Sequence, residues 1–480
     1  MWDLQKPAIT KLYIGSIIII LLGAFLTFGS PEYYVLILPM LILCIGLFLA
    51  SIEQVYYLVA FCTPISIKYM FGDSGINIPN EPLMLVFLLL FLVKLFKDFG
   101  TVRPILKHPI TVLILINLSW LLITSITSTL PIISFKFLLA RIWTVIFGFF
   151  WGTLIFKETK NIRSFFTAFG LGLCLVIIYT TINHYDVGFS QGKAMVVMRP
   201  IMDDHTVYSA VSSIVLIYSL VLLTFKNNNL KLRSKIFLFT FIIFCAVGVT
   251  LSYSRAAFLG LLFVIGFSLL LKWRIKFKTI LTSIFVILAL TFSFSKQIYQ
   301  TVKFNNAVSG KNLATDIRSI SNVKTDESNV ERINRWESGY RMFLEEPFFG
   351  FGPGTYMFTY SPYQRAHEMT SISTTHGDMG SMHSEYFGPL VESGVFGLLI
   401  ILTLFLTYIA VLMRIYYKPA TPEFKMFSLA ILLAMLSYFF HGLLNNFIDQ
   451  DKIAVIFWAM MGMAVALDLE NRAKGLGSDA

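Results

Sequence analysis

Charge is what this 480-residue chain has least of. Asp, Glu, Lys and Arg make up 14% of it, against 56% hydrophobic and 15% aromatic residues. Soluble globular proteins carry roughly a quarter charged residues, so a soluble enzyme is excluded, and the apolar content excludes a disordered chain. Cysteine is also scarce. Cys44, Cys62, Cys174 and Cys245 fall inside apolar runs without paired spacing, which leaves them as small core residues rather than a disulfide or zinc framework. Acidic residues are outnumbered 27 to 38, for a formal charge of +11. In an apolar chain such an excess marks cytoplasmic loops, and no nucleic-acid partner is expected. There is no internal repeat and no pair of interrupted helices matched between halves, which argues against a transporter.

What the chain does have is long apolar blocks, each able to cross a hydrocarbon core about 30 Å thick. Candidate spans fall near 12–30, 34–51, 54–70, 83–98, 110–128, 137–156, 164–182, 206–225, 235–252, 256–271, 279–294, 389–413, 424–443 and 453–468. The expected fold class is an all-α polytopic membrane protein of about 12–14 transmembrane helices. The first block begins after Lys11 without a small-residue cleavage site, so it is read as a retained helix. Lys and Arg alternate between loops: one side holds roughly 22 basic residues and the opposite short loops roughly 6, which predicts cytoplasmic termini.

One connection is far too long for a linker. Residues 295–388 form a polar stretch on the non-cytoplasmic side. The predicted organisation is 1–235 as N-terminal transmembrane helices, 236–294 as helices with a Ser-Arg turn, 295–388 as a loop domain, and 389–480 as C-terminal helices with a cytoplasmic tail. Within the loop, Ile333, Trp336, Tyr340, Phe343 and Leu344 are spaced as on an amphipathic helix over Glu331–Leu344. Pro347, Gly350, Gly352, Pro353 and Gly354 then make a breaker-rich turn.

The ionisable residues collect on the same face. Of the seven histidines, His184, His205, His367, His376, His383 and His441 fall at outward positions and only His108 at the other side. Histidine titrates near neutrality and moves protons. His383 opens a membrane helix beneath the long loop, where it could serve as a general base or simply cap the helix or sit among headgroups. Gly394 and Gly397 on that helix would let a neighbouring helix approach. Glu392, in its first turns, should face the protein interior. Arg255 lies in a short outward turn, and Arg332 and Arg335 lie on the loop helix. Guanidinium groups bind phosphate oxygens bidentately and keep their charge, which suits a diphosphate at a membrane surface, although anchoring to headgroups would place Arg255 equally well. Arg141 falls inside a predicted span, where it faces either a cavity or a buried acid. The last outward loop carries His441, Asn445, Asn446, Asp449 and Asp451, and an earlier one carries Asp203, Asp204 and His205. His376 and Asp378 near His383 do not form a standard ligand set, so no metal site is expected.

The order of these motifs resembles the O-antigen ligase and polymerase superfamily. His383-Ser384, nine residues on to Gly394, then Gly397, matches the family signature position for position. Ser254-Arg255 and the run from Arg332 and Trp336 to Gly350-Phe351-Gly352-Pro353-Gly354 look like the remainder of the shared domain, over roughly residues 240–445.

The resemblance implies a GT-C-type glycosyltransferase of a bacterial inner membrane with one large periplasmic loop. It would move a glycan from undecaprenyl diphosphate to an acceptor such as lipid A-core, with inversion and without metal or other cofactor. His383 would be the general base. Arg255 and Arg332, with Arg335 beside it, would bind the donor diphosphate. Arg141, Glu392, His441 and Asp449 would be supporting contacts. The polymerase of the same superfamily, a protein O-oligosaccharyltransferase and a polysaccharide or lipid transporter remain as alternatives. The donor's lipid tail should enter through an apolar groove near Arg255 and the start of the span at 389, capped by the loop.

Overall fold

The computed structural model describes residues 51–71, 74–226, 230–275, 327–370 and 380–476, with a few single positions between them. The predicted spans at 12–30, 34–51 and 279–294, the first part of the long loop and His376–Asp378 lie almost wholly outside the described residues.

The described chain begins with α1 (Ile52–Ile65), a hairpin of β1 (Ile67–Phe71) and β2 (Ser74–Ile78), α2 (Asn80–Lys97) and the short α3 (Phe99–Leu106). The long helices α4 (Pro109–Ile126), α5 (Pro131–Ile155), α6 (Thr159–Asp186), α7 (His205–Thr224), α8 (Leu232–Leu251) and α9 (Arg255–Lys272) follow. After the long connection come α10 (Glu327–Glu345), α11 (Phe387–Tyr417), α12 (Pro422–His441) and α13 (Asp451–Leu476). Among the described residues nine helices are long and apolar enough to cross a membrane: α4 to α9 and α11 to α13. The protein is an all-α polytopic membrane protein, as its composition requires.

The bundle is sorted by side-chain size and polarity. α7, α12 and α13 are buried along more than four-fifths of their most apolar windows, whereas α8 and α9 are buried along a third or less. The outer helices instead turn Ile236, Phe239, Leu262 and Ile265 outward, as lipid-facing surfaces do. The centre closes through small residues. A Cβ on Gly148 of α5 would come within 2.7 Å of Trp458 Cβ on α13, and one on Gly462 within 2.7 Å of the Phe149 carbonyl. These two glycines allow α13 to lie directly on the wide π turn Ile146–Trp151 in α5.

One expectation is corrected. The apolar run at 54–70 is not one span. Its helix α1 has 14 residues, about 21 Å at 1.5 Å per residue and short of the hydrocarbon core. It stops where Lys452 Nζ of α13 takes hydrogen bonds to the carbonyls of Pro64 and Ser66 at 3.1 and 2.5 Å, and the chain turns into an antiparallel hairpin pairing Ile67 with Ile78. The loop helix α10 does span the predicted segment, but Tyr340 and Leu344 are exposed. Its inward stripe is polar: Glu331, Asn334, Arg335 and Ser338, with Met342 completing it.

Candidate active site

The Gly-Phe-Gly-Pro-Gly turn is a structural insert in α11. That helix breaks at Gly394, which takes φ 68° and ψ −172°. The break frees backbone groups that the turn takes up: Phe351 N–H donates to Val391 O (3.1 Å), Gly352 N–H to Glu392 O (2.9 Å), and Val395 N–H to Pro347 O (2.9 Å). Trp120 Nε1 donates to Ser393 O at 2.8 Å, with its ring stacked on Phe349 of the turn. A Cβ on Gly394 would lie 2.0 Å from the Phe348 carbonyl oxygen, and one on Gly350 would lie 2.5 Å from the Val391 carbonyl oxygen. The close approach made possible by Gly394 is therefore to the turn's backbone and not to another helix; Gly397 faces Ser393 and Pro389 of its own helix.

His383 sits at the end of the loop domain, just before α11. Trp336 of α10 stacks on Phe387 at 5.8 Å and donates its Nε1 proton to Met382 O at 3.2 Å, which pins both flanks of the histidine. His383 itself has φ 52°, a left-handed conformation uncommon for a side-chain-bearing residue. Its backbone N–H donates to Asn446 Oδ1 at 3.1 Å, while its ring Nδ1 is buried without a hydrogen-bond partner among the described residues. Burial, with the charges of Arg332 and Arg335, pushes its pKa down to about 4. The imidazole is therefore neutral at physiological pH and able to accept a proton.

The two arginines of α10 are held differently. Arg335 is buried, with Nε on Glu331 at 2.8 Å, Nη1 on Ser381 O at 3.0 Å and the guanidinium over the Tyr360 ring at 5.4 Å. Arg332 is half-buried, with Nε 3.3 Å from Leu444 O in the loop between α12 and α13. Buried His441, at the end of α12, feels the charges of Asp204 and His205 at the start of α7 and of Arg332 on α10. Asp204 caps α7, accepting Thr206 N–H at 2.7 Å, with His205 Nδ1 at 3.1 Å. His441 Nε2 and Asn445 Nδ2 are buried without partners among the described residues. Arg255 opens α9, half-buried, after a turn in which Tyr253 takes φ 52° and bonds Phe189 O at 2.8 Å. It is not among the charges that act most strongly on His383.

Arg141, Asp449 and Glu392 belong together in a second space. Arg141 is buried on α5 between the Phe137 and Trp458 rings and pairs with Asp449. Glu392 accepts the Tyr356 N–H at 3.1 Å. All three line a cavity of about 570 Å³ that also reaches Ser384, Glu385 and Asn446, directly behind the His383 backbone. An apolar groove of similar volume runs between α4 and α11, lined by Ile116, Trp120, Phe396 and Ile400 among others. The expected groove lay near Arg255 and the start of the span at 389; this one borders that span at Phe396 and Ile400, while α9, which carries Arg255, contributes nothing to its lining.

Sequence reasoning assigned no role to Glu385 and placed Asn446 only within the polar cluster of the last outward loop, as a secondary contact. Glu385 had a readable signal, since a carboxylate entering a membrane helix is as costly there as at Glu392. The polar loop cluster pointed to Asn446, but its bond to His383 was not legible, because that partner is 63 residues away. Among the described residues no three His, Cys, Asp or Glu side chains form a metal-binding group.

Fold and site define a polytopic helical membrane protein in which His383, Arg332 and the loop between α12 and α13 lie together at one end of the bundle. Residues 239–402 match the family model described as O-Antigen ligase, and the chain carries a domain of that superfamily. The matched segment includes Arg255, Arg332, Arg335, His383 and Glu392, with Arg141, His441 and Asp449 outside it. This supports an O-antigen ligase or polymerase type of function in general, in a membrane-protein family that acts on lipid-linked glycans. No curated protein matches the chain.

Proposed function

We propose that the protein is an O-antigen ligase-type glycosyltransferase that moves a glycan from undecaprenyl diphosphate to a lipid A-core acceptor at the periplasmic face of a bacterial inner membrane. The observation that carries this reading is the half-buried, neutral His383, whose buried Nδ1 has no hydrogen-bond partner among the described residues and which feels the charge of Arg332. An acceptor hydroxyl placed at Nδ1 passes its proton to the imidazole as its oxygen attacks the anomeric carbon. The bond from that carbon to the diphosphate oxygen breaks, and the diphosphate leaves with the electron pair. Attack from the opposite side inverts the centre. Arg332 and Arg255 neutralise the charge that grows on the leaving group, which arginine does without a divalent cation. Arg335, committed to Glu331 and Ser381, adds charge from behind and holds α10 in place. The cavity holding Arg141, Glu392 and Asp449 receives sugar on the other side of the histidine backbone.

The test is mass-resolved transfer by purified protein given undecaprenyl-diphosphate-linked glycan and lipid A-core, with EDTA throughout. Glycan on lipid A-core from wild type but not from His383→Ala supports the reading. Longer glycan remaining on undecaprenyl diphosphate replaces it with a polymerase, and undiminished transfer by His383→Ala removes the histidine from the chemistry.

A further inference from the structure

We propose that Glu385 is a positioning residue for transfer: its carboxylate pins the loop between α12 and α13, which in turn holds both His383 and Arg332 in register. The inference rests on the reading of His383 as the base. Residues 442–450 have no helix or strand of their own, so their order must come from outside. A single carboxylate oxygen supplies much of it. Glu385 Oε1 accepts the Tyr438 hydroxyl at 2.5 Å, the Phe447 N–H at 2.5 Å and the Ile448 N–H at 2.8 Å. The Glu385 backbone N–H closes the clasp on Gly442 O at 2.8 Å.

The pinned loop then gives out its own groups. Asn446 Oδ1 takes the His383 N–H, Leu444 O takes Arg332 Nε, and Asp449 takes Arg141. Three functional side chains on three different elements are thus referred to one loop, and that loop to one acid. Glu385 is 5% exposed. Without it, the two loop N–H groups would be buried orphans, which proteins seldom tolerate. Burial and the facing Asp449 raise its carboxyl to about 7, while Tyr438 and the two loop amides work the other way. The neutral acid keeps an acceptor oxygen, so an amide should substitute for it.

The experiment compares Glu385→Ala and Glu385→Gln in the full-length protein by steady-state transfer and by hydrogen–deuterium exchange of the 442–450 peptide. Glu385→Ala should raise exchange in that peptide, lower kcat about a hundredfold, the cost of an ångström-scale misplacement, and raise KM for the donor as Arg332 loses its hold on Leu444 O. Glu385→Gln should restore most of all three. Gln as inactive as Ala with unchanged exchange would mean that the carboxylate acts through its charge, and raised exchange without a fall in kcat would remove the link to His383; either result overturns the proposal. If Glu385→Ala does not fold, Tyr438→Phe and Asn446→Ala ask the same question, one weakening the clasp and the other cutting its link to His383. Transfer surviving in His383→Ala would sink the base reading alone, because the exchange result does not depend on it.

Discussion

Replacing Gly394 with alanine tests the architecture on which the site is built. The residue holds φ 68° and ψ −172°, a region that side-chain-bearing residues avoid, at a cost of about 1–3 kcal/mol. The new methyl would also stand 2.0 Å from Phe348 O and 2.3 Å from Phe348 C, so the turn must retreat. Retreat breaks the Val395–Pro347 and Gly352–Glu392 hydrogen bonds, each worth about 1 kcal/mol. Together the change should destabilise the protein by roughly 3–5 kcal/mol. The assay is thermal unfolding in detergent alongside glycan transfer, with protease sensitivity of the 347–356 turn as a local reporter. Gly266→Ala on α9 is the control: nothing lies within 4 Å of its Cβ, and alanine should gain up to about 1 kcal/mol of helix propensity. A Gly394→Ala protein that melts and transfers like wild type would refute the account of the kink, and with it the claim that the glycine-rich turn is an insert into α11.

Other perturbations separate site from scaffold. Arg332→Gln removes one of the charges that hold His383 at about 4. Because the base works only when neutral, rate is lost as pH falls through its pKa, so the acid limb of kcat/KM should move from near pH 4 toward neutrality; a limb that stays put rejects the coupling. Arg335→Ala leaves Glu331 buried without its ion-pair partner and should cost about 3 kcal/mol of stability, whereas Arg332→Ala should spare the melting temperature and raise KM for the donor. At the far end of the bundle, Asp468 is 1% exposed among His108 (3.1 Å), Arg414 (2.6 Å) and Arg472 (2.7 Å). Asp468→Asn should lower the melting temperature without moving donor KM, and a selective change in donor KM would show that this network reaches the site.

The spans were legible because a bilayer imposes a local rule: backbone groups in hydrocarbon must pair within their own segment, so each crossing helix writes about 20 apolar residues in a row. α4 to α9 and α11 to α13 follow the predicted blocks closely for that reason. The rule fails at α1, where Lys452, almost 390 residues away, meets the helix end and no local pattern records it. The helix predicted over Glu331–Leu344 is present as α10, though apolar spacing alone did not tell which side of it is buried. α10 buries a hydrogen-bonded polar stripe, with Glu331 serving Arg335 and Ser373, and leaves Tyr340 and Leu344 outside.

The sequence by itself determined the solvent this protein folds in, its all-helical build, and which residue types could carry anion binding and proton transfer at one face. Only the tertiary structure decided which of them meet. Arg332 and Arg335 are equivalent as letters, yet Arg335 is tied into a buried ion pair while Arg332 reaches Leu444 O and adds its charge at both His383 and His441. The loop after α12 read as a secondary polar contact, and the structure adds that Glu385 gathers its backbone and Asn446 meets His383. Hydrophobicity is summed along a short stretch of chain and can be read there. A hydrogen bond between distant residues depends on angles and distances of a few ångströms, and these exist only once the bundle has closed.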